Sequence, residues 1–454
     1  MKFKTTLFLF ILFLTLLIFI YFFEFKRKSV EDEEGKLVSF SSDAVHKIIL
    51  KKENETITFQ KNEQEDWLII EPLKAKADKV EVNRLADDFS NLRIERVVEE
   101  EPHDLEKYEI PQKEIHLWLK DNDNPIKILI GMENPLDNTF FAKRADEMRI
   151  VIIPSHLKNL MDKTLFDFRQ KDIFSFETDE VETIKLQAKK NQWEATKIEE
   201  EWFFTKPLRA LAKENKISDL LYSFSSLKAK EFISEEKNRE DEKKYGFDNP
   251  EYKITLNMPA KNQEITFFLQ KKDDNLYATT SLSSKIITIE DSILPDLEKK
   301  AEELREDEVA NFHSWEANKL YLRRDEFELA VSKSEDDLWH FEAPNEGTAD
   351  QSKIQTFIRK IESLKATEFI DPPLSIKDYK LDNPQGEVKI WVKEDEKTMK
   401  EISILIGPED EEAKQIVVKN ARLDYLFRVD SGFLEEFPKN INDWKKSEEE
   451  EKKE

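Results

Sequence analysis

The sequence predicts an α+β protein in which one N-terminal transmembrane helix precedes three tandem copies of a mostly antiparallel β-sheet domain with packed helices. Two observations predict this arrangement. The chain opens with an apolar stretch, Leu7 to Phe23, in which only Thr15 is neither apolar nor aromatic. A motif with Trp followed five residues later by Pro then recurs at domain-sized intervals, as WLIIEP, WFFTKP and WHFEAP.

The apolar stretch is long enough to cross a bilayer, because a transmembrane helix needs about 17–25 residues. Tyr21 and the two residues after it would lie near one interface, where aromatic residues are enriched. A cleaved signal peptide is the alternative, but it needs small residues before the cleavage point. Here the stretch runs into Glu24, Phe25 and Lys26 instead. Residues 1–28 are therefore predicted to form an uncleaved membrane anchor.

Positive residues stand on both sides of this anchor. Lys2 and Lys4 precede it and the basic run at 26–28 follows it, so the positive-inside rule is nearly balanced. A short leading tail before a bulky soluble remainder favours an N-terminus inside the cell. We therefore expect residues 29–454 to lie outside the cytoplasm, beginning with an acidic linker at 29–35.

The Trp motif anchors a longer alignment of the chain with itself. Four apolar positions follow each Trp with steps of three, four and three residues, which place them on one face of a helix. They are Val82, Leu85, Phe89 and Leu92, then Ile217, Leu220, Phe224 and Leu227, then Ile354, Phe357, Ile361 and Leu364. Alternating strands follow, a pattern typical of antiparallel sheet with one covered face. Each copy is predicted to contain three strands, a helix, a loop, about four strands and a short helix.

The period of roughly 136 residues makes each copy large enough to bury its own core. Repeats of 20–50 residues must instead stack on one another. The predicted domains are residues 36–172, 173–309 and 310–446, followed by a charged tail at 447–454. Within each domain we expect the motif Trp to be a core residue. We also expect the helix positions Leu85, Leu220 and Phe357 to be buried against the sheet that carries the Trp strand.

Composition excludes several function classes. The net charge of −25 opposes nucleic-acid binding, which needs basic residues clustered on one face. The chain has no Cys, which removes disulfides, thiolate metal sites and Cys nucleophiles. Its seven glycines form no cluster of the kind that phosphate-binding loops and dinucleotide fingerprints require.

No catalytic, cofactor-binding or metal-binding residue is predicted. The six histidines share no position between copies, and no two have the i, i+4 spacing of a metal-binding pair on a helix. They are His46, His103, His116, His156, His313 and His340. The 97 carboxylates are too many for any pair to be chosen for acid–base chemistry without a cleft.

A recurring tyrosine gives the best polar candidate in each copy, at Tyr108, Tyr245 and Tyr379. One interpretation is that the ring packs beside the helix while the hydroxyl bonds the backbone of the following turn. The other is that these tyrosines are repeated contact points for a partner.

These motifs together resemble the bacterial domain-of-unknown-function 4340 family. The residues that carry the resemblance are Trp67, Pro72, Ala77, Asp78 and Arg96 to Val98, then Trp202, Pro207 and Tyr245 to Asp248, then Trp339, Pro344, Ala349, Asp350 and Tyr379 to Asp382. The resemblance covers residues 36–446 and implies a fold rather than a chemistry. Similar members carry one N-terminal anchor and several tandem copies. They are often encoded beside auxiliary components of ABC-type transport systems, including gliding-related ones.

The second copy departs from the family pattern at the start of its helix. Lys213 stands where the other copies have Asp78 and Asp350. An Asp there caps the helix and suits its positive end, whereas Lys cannot. We therefore expect the cap of this helix to come from Asn215 or Ser218.

Two functions from different classes are compatible with the sequence. The first is a non-catalytic, membrane-anchored interaction or scaffold protein of the bacterial cell envelope, which the resemblance links to an ABC-type transport system. The second is an envelope glycan-binding protein or hydrolase that uses carboxylates in a cleft. A pocket with converging carboxylates of raised pKa would favour the second.

Overall fold

The computed structural model describes residues 35–120, 122–189, 191–335, 337–343, 347–393 and 398–445, together with positions 13, 15 and 16. Nearly all of the predicted anchor and acidic linker, and the whole of the predicted tail, lie outside the described residues. Among the described residues, no helix is both long enough and apolar enough to span a membrane.

The chain divides into two compact units, Met1–Lys171 and Asp172–Glu454. The first unit holds one β-sheet and the second holds two, and each sheet has nine strands within the described part of the chain. The first sheet contains β1 (Val45–Lys51), β2 (Thr56–Lys61), β3 (Trp67–Glu71), β4 (Ala75–Lys76), β5 (Arg96–Glu99), β6 (Lys113–Leu119), β7 (Ile126–Glu133), β8 (Phe140–Arg144) and β9 (Ile150–Ile153). Its helices are α1 (Lys79–Ser90), α2 (Leu157–Met161) and α3 (Leu165–Phe168).

The second unit repeats the nine-stranded sheet and its main helix twice, with different short helices. The second sheet contains β10 (Thr183–Ala188), β11 (Asn191–Ile198), β12 (Glu201–Lys206), β13 (Ala210–Leu211), β14 (Glu231–Ser234), β15 (Tyr252–Met258), β16 (Gln263–Lys272), β17 (Asn275–Thr280) and β18 (Ile286–Ile289). Its helices are α4 (Glu214–Ser225), α5 (Arg239–Tyr245), α6 (Leu294–Leu297) and α7 (Ala301–Leu304). The third sheet contains β19 (Ala317–Arg324), β20 (Phe327–Lys333), β21 (Trp339–Ala343), β22 (Gly347–Thr348), β23 (Ala366–Ile370), β24 (Gly386–Lys393), β25 (Met399–Asp410), β26 (Gln415–Asn420) and β27 (Leu426–Asp430), and its helix is α8 (Gln351–Glu362).

All three sheets have the same strand order. In the first sheet it is β4-β3-β2-β1-β6-β7-β8-β9-β5, with antiparallel pairing throughout, and the other two sheets follow it strand for strand. The Trp strands β3, β12 and β21 therefore occupy the same place, next to the short edge strand. The prediction of three tandem copies of one antiparallel α+β domain is confirmed.

Two parts of the predicted element order are wrong. Each main helix is preceded by four strands rather than three, because a two-residue strand (β4, β13 or β22) follows the Trp strand. The segment after the main helix, expected to be a loop, is an edge strand in every copy: β5 pairs with β9, β14 with β18, and β23 with β27. These strands have only four or five residues, and their partners lie about 55 residues later in the chain. A short strand with so distant a partner has no local pattern that distinguishes it from a loop.

The main helix of each copy covers one face of its sheet. Leu85, Leu220 and Phe357 are only 0%, 4% and 1% exposed and belong to the three large cores, so their predicted burial is confirmed. The motif tryptophans belong to the same cores. In the first copy the Trp67 indole N–H also donates to Asn83 Oδ1 on the helix at 2.7 Å, which ties the Trp strand to α1.

The helix starts differ as the sequence indicates, but the expected substitute cap is wrong. Asp78 accepts hydrogen bonds from two backbone N–H groups of α1 at 3.0 and 3.2 Å, and Asp350 does the same for α8 at 3.0 and 3.1 Å. In the second copy the residue before the helix, Lys213, makes no side-chain capping hydrogen bond to α4. Asn215 and Ser218 already lie inside the helix, whereas a capping side chain belongs to the extended residue before it.

Candidate functional site

The three predicted contact tyrosines lie at equivalent places, each at the end of a short helical turn before the strand that pairs with the first strand of its sheet. The Tyr108 ring lies 4.9 Å from that of Phe141, and the Tyr245 ring lies 4.8 Å from that of Tyr277. Tyr379 packs against a small cluster that includes Val417. In each domain these contacts form a minor core on the sheet face that the main helix of that domain does not cover.

Tyr108 is the most buried of the three, with 3% of its surface exposed. Its ring packs against Phe141 on the face that α1 does not cover, and not beside the helix as the first interpretation predicts. Its hydroxyl donates to the carboxylate of Glu99 at 2.7 Å rather than to the turn backbone. Lys107 Nζ lies 3.0 Å from the same carboxylate. The hydrogen bond from Tyr108 is the main reason that the pKa of Glu99 lies below its ordinary value, and the hydrogen bond from Lys107 is the second. The use of the three tyrosines as partner contacts stays a prediction.

The outer face of the second sheet carries a shallow hollow. This face consists of the side chains that alternate with core residues on β10, β11, β12 and β15, on the side that α4 does not cover. The hollow has a volume of about 220 Å³. We call it the lysine hollow, because its charged and hydroxyl-bearing lining residues are Lys185, Glu194, Lys206, Lys253 and Thr255.

Strand register fixes the arrangement of these charges. Lys185 stands opposite Glu194 on β11 and opposite Thr255 on β15. Lys206 lies beyond Glu194, and its Nζ is 3.2 Å from Glu194 Oε2. Lys253 is diagonal to Lys185 in the sheet, a separation of about 7–8 Å. Because the hollow is lined by three lysines and one glutamate, positive charge is in excess in it.

The same place in the first copy has different chemistry. Ile49 stands opposite His116 there, as Lys185 stands opposite Thr255 in the second copy. His116 Nε2 lies 2.7 Å from Glu114, and burial lowers the pKa of this imidazole. On the other side of Ile49, the hydroxyl of Thr58 donates to Glu71 at 2.9 Å. The polar side chains at this part of the outer face therefore form hydrogen-bonded pairs.

The third copy differs again. Tyr321 stands opposite Lys389, whose Nζ lies 5.7 Å from the centre of the Tyr321 ring and 3.1 Å from Glu387. The pairing with Glu387 is the main reason that the pKa of Lys389 is raised. The three copies thus share their cores and differ on their outer faces.

A buried arginine joins the second and third sheets within the second unit. The side chain of Arg305, directly after α7, is 1% exposed. Its guanidinium lies 3.9 Å from the ring centres of both Phe369 and Tyr425. It also pairs with Asp371 through two contacts, of 2.7 and 3.0 Å. Cation–π stacking and a two-point ion pair therefore act on one group.

Apolar and polar contacts extend this junction. Ala210 and Leu211 of β13 belong to the core of the third sheet. The backbone N–H of Leu211 donates to the Tyr425 hydroxyl at 3.4 Å, and burial raises the pKa of that hydroxyl. Glu201 lies 2.7 Å from Arg422 and 3.3 Å from Lys400. The second and third domains are consequently one packed body.

The departure at Lys213 is explained by the same junction. Its Nζ lies 3.0 Å from Asp307, on the segment that links the two domains. Asp307 also accepts a backbone hydrogen bond from Ala366 of β23, at 2.8 Å. The side chain that could not cap α4 thus fastens the linker to the second domain.

Sequence comparison between copies misses both the lysine hollow and the Arg305 junction. The hollow lies at positions where the copies differ, so a search for shared residues passes over it. The arginine has a signal that could have found it, because Arg169 and Arg305 follow the last short helix of the first and second copies and both are buried. Within the described part of the chain, no three metal-ligating side chains come together.

A family model described as "Domain of unknown function (DUF4340)" matches residues 67–239, 202–375 and 339–450. Each match begins at a motif Trp, and the first two run on past the main helix of the next copy. No curated protein matches the chain.

Among solved structures, the chain is similar to the DNA polymerase III subunit beta from Pseudomonas aeruginosa, with 9% identity over 86% of this chain and 93% of that one and a TM-score of 0.15. It is also similar to the sliding clamp from the same organism with ligand, at 8% identity over 87% and 93% with a TM-score of 0.15. TM-scores this low support no argument about fold or function.

Proposed function

This chain belongs to the domain-of-unknown-function 4340 family, and from that premise we propose that it is a non-catalytic, membrane-anchored interaction protein of the bacterial cell envelope. Its anchor is the apolar stretch Leu7 to Phe23, which holds the three domains on the outer side of the cytoplasmic membrane. Its partner is a component of an ABC-type transport system, as the family resemblance suggests.

The three copies share the pattern of their cores but differ in the chemistry of their outer faces, and the proposal rests on this observation. If the copies served only as spacers, their outer faces would need no particular chemistry. Instead, Ile49, Lys185 and Tyr321 occupy one structural position and give it an apolar, a basic and an aromatic character. Three different weak contacts on one chain add their effects when they engage one partner or one assembly.

The packed junction supports the same proposal. The Arg305 contacts hold the second and third outer faces at a fixed spacing, which lowers the entropic cost of engaging both together. Two tryptophans, Trp118 and Trp391, are the observation that supports the alternative function, an envelope glycan-binding protein. Each stands opposite a lysine on its outer face, with Lys47 4.9 Å and Lys319 5.6 Å from the ring centres.

Crosslinking in native membranes followed by affinity purification tests the proposal. We expect transporter subunits to be enriched with the wild-type chain and reduced with the outer-face variant Lys185→Glu/Tyr321→Ala. A variant with two exposed helix residues changed, Lys216→Glu/Tyr222→Ala, serves as the control. Recovery of cell-wall glycan without a protein partner would instead support the alternative function.

A further inference from the structure

We propose that the lysine hollow of the second domain binds a carboxylate-bearing segment of the protein partner, a short stretch containing Asp or Glu. This inference rests on the proposed function and assigns one contact of that interaction to five residues: Lys185, Glu194, Lys206, Lys253 and Thr255.

Charge is the first argument. The whole chain has a net charge of −25, so its surface is acidic on average and a basic hollow is an exception. At physiological ionic strength charges are screened over about 8 Å. An acidic group that reaches the hollow therefore responds to the nearby ammonium groups rather than to the distant acidic surface. A long polyanion would extend beyond the hollow and come within this distance of acidic side chains, so the charges favour a short acidic segment.

The placement of the lysines is the second argument. Lys185 and Lys253 are diagonal neighbours in the sheet, and like charges so placed repel each other. Glu194 offsets part of this repulsion, but its carboxylate is paired with Lys206 on the opposite side. A second carboxylate from a partner would lie between Lys185 and Lys253 and complete the alternation of charge.

Size and donors are the third argument. A volume of about 220 Å³ is smaller than the 300–1,000 Å³ typical of small-molecule sites, and it suits one side chain. Gln187 and Gln192 face each other at the edge of the hollow and add amide donors. Because all of these side chains stand on paired strands, their backbone needs no rearrangement to receive a ligand.

A peptide titration of the full-length chain in detergent micelles tests the inference. The probe is hexaglutamate with blocked ends, compared with blocked hexaglutamine and with inorganic phosphate, and binding is measured by calorimetry. Of these three probes, we expect only hexaglutamate to bind. Its Kd should rise about tenfold in the variant Lys185→Gln/Lys253→Gln. The control Lys216→Gln/Lys228→Gln removes the same charge on and next to α4 and should change the Kd less than twofold.

A gain of affinity provides a check that misfolding cannot imitate. Glu194→Gln removes the resident carboxylate and should lower the Kd for hexaglutamate about threefold. The inference is overturned if hexaglutamate does not bind, if both double variants lose affinity equally, or if equimolar phosphate displaces the peptide. If the peptide fails while transporter subunits are still crosslinked, only the inference is wrong. If the peptide binds but no protein partner is recovered, the proposed function is wrong.

Discussion

Arg305 and Asp371 form a two-point ion pair across the junction of the second and third domains, with contacts of 2.7 and 3.0 Å. The guanidinium is enclosed between two aromatic rings while the carboxylate is half exposed. Burying an arginine is costly unless its charge and its N–H groups are satisfied. Here Asp371 balances the charge and Nη1 donates to it, whereas Nε and Nη2 have no hydrogen-bond partner among the described residues. The ion pair links the two domains at this point.

Replacing this arginine should weaken the junction. We expect Arg305→Ala to lower the free energy of unfolding by about 2–4 kcal/mol, because both ring contacts and the ion pair are lost. Urea unfolding monitored by Trp fluorescence measures the change. The control is Arg209→Ala, whose side chain is 77% exposed and 3.6 Å from Asp424; it should change stability by less than about 0.5 kcal/mol. Equal losses in the two variants would show that the junction does not depend on Arg305.

The helix stripe gives a second prediction. Leu220→Ala should cost about 2–5 kcal/mol, as truncations of buried leucine do, because Leu220 is 4% exposed in the core between α4 and its sheet. Tyr222→Ala on the same helix is the control, since that side chain is 69% exposed. A change below about 0.5 kcal/mol for Leu220→Ala in thermal or urea unfolding would show that the stripe does not face the core.

Helix capping separates the second copy from the third. Asp350→Ala should destabilise the chain by about 1 kcal/mol, because two backbone N–H groups of α8 lose their acceptor. Lys213→Ala at the equivalent position removes no cap and breaks a partly exposed pair with Asp307, so its cost should stay below that of Asp350→Ala. The reverse order in urea unfolding would contradict the assignment of these two roles.

Glu306, the residue after Arg305 at the junction, leads to a prediction about how the free energy of unfolding depends on pH. Burial raises the pKa of Glu306 above its ordinary value of 4.5. The folded chain therefore binds this proton more tightly than the unfolded chain, and stability falls as the pH rises through the folded-state pKa. Glu306→Gln lacks this ionisation, so its stability relative to wild type should be greater at pH 7 than at pH 4. The exposed Glu302→Gln is the control, and a pH-independent difference for Glu306→Gln would refute the prediction.

Topology in the membrane is a separate prediction. We expect protease added to spheroplasts to degrade residues 29–454, and a phosphatase fused after the C-terminus to be active. A protected chain with a silent fusion would place the domains in the cytoplasm. The partner would then be sought among ATPase subunits.

The sequence predicts well those features that recur in it. The helix stripe of Leu85, Leu220 and Phe357 and the motif tryptophans follow from repeated apolar spacing, and the structure confirms their burial. Strand β5 and its counterparts escape prediction because a four-residue strand depends on a partner far along the chain. The role of Lys185 could not be predicted for another reason. Its neighbours in space come from three other strands, and its counterparts in the other copies, Ile49 and Tyr321, are chemically different.

Site-specific photocrosslinking in living cells tests most sharply whether the outer faces bind a partner. A photoreactive residue is placed on the outer face at Gln187 or Tyr321, or on the exposed side of α4 at Tyr222, and crosslinked proteins are identified by mass spectrometry. We predict that both outer-face positions capture a component of an ABC-type transport system and that Tyr222 captures none. Capture at Tyr222 alone, or no protein captured at either outer-face position, would contradict the proposal that these three domains serve as an anchored interaction array.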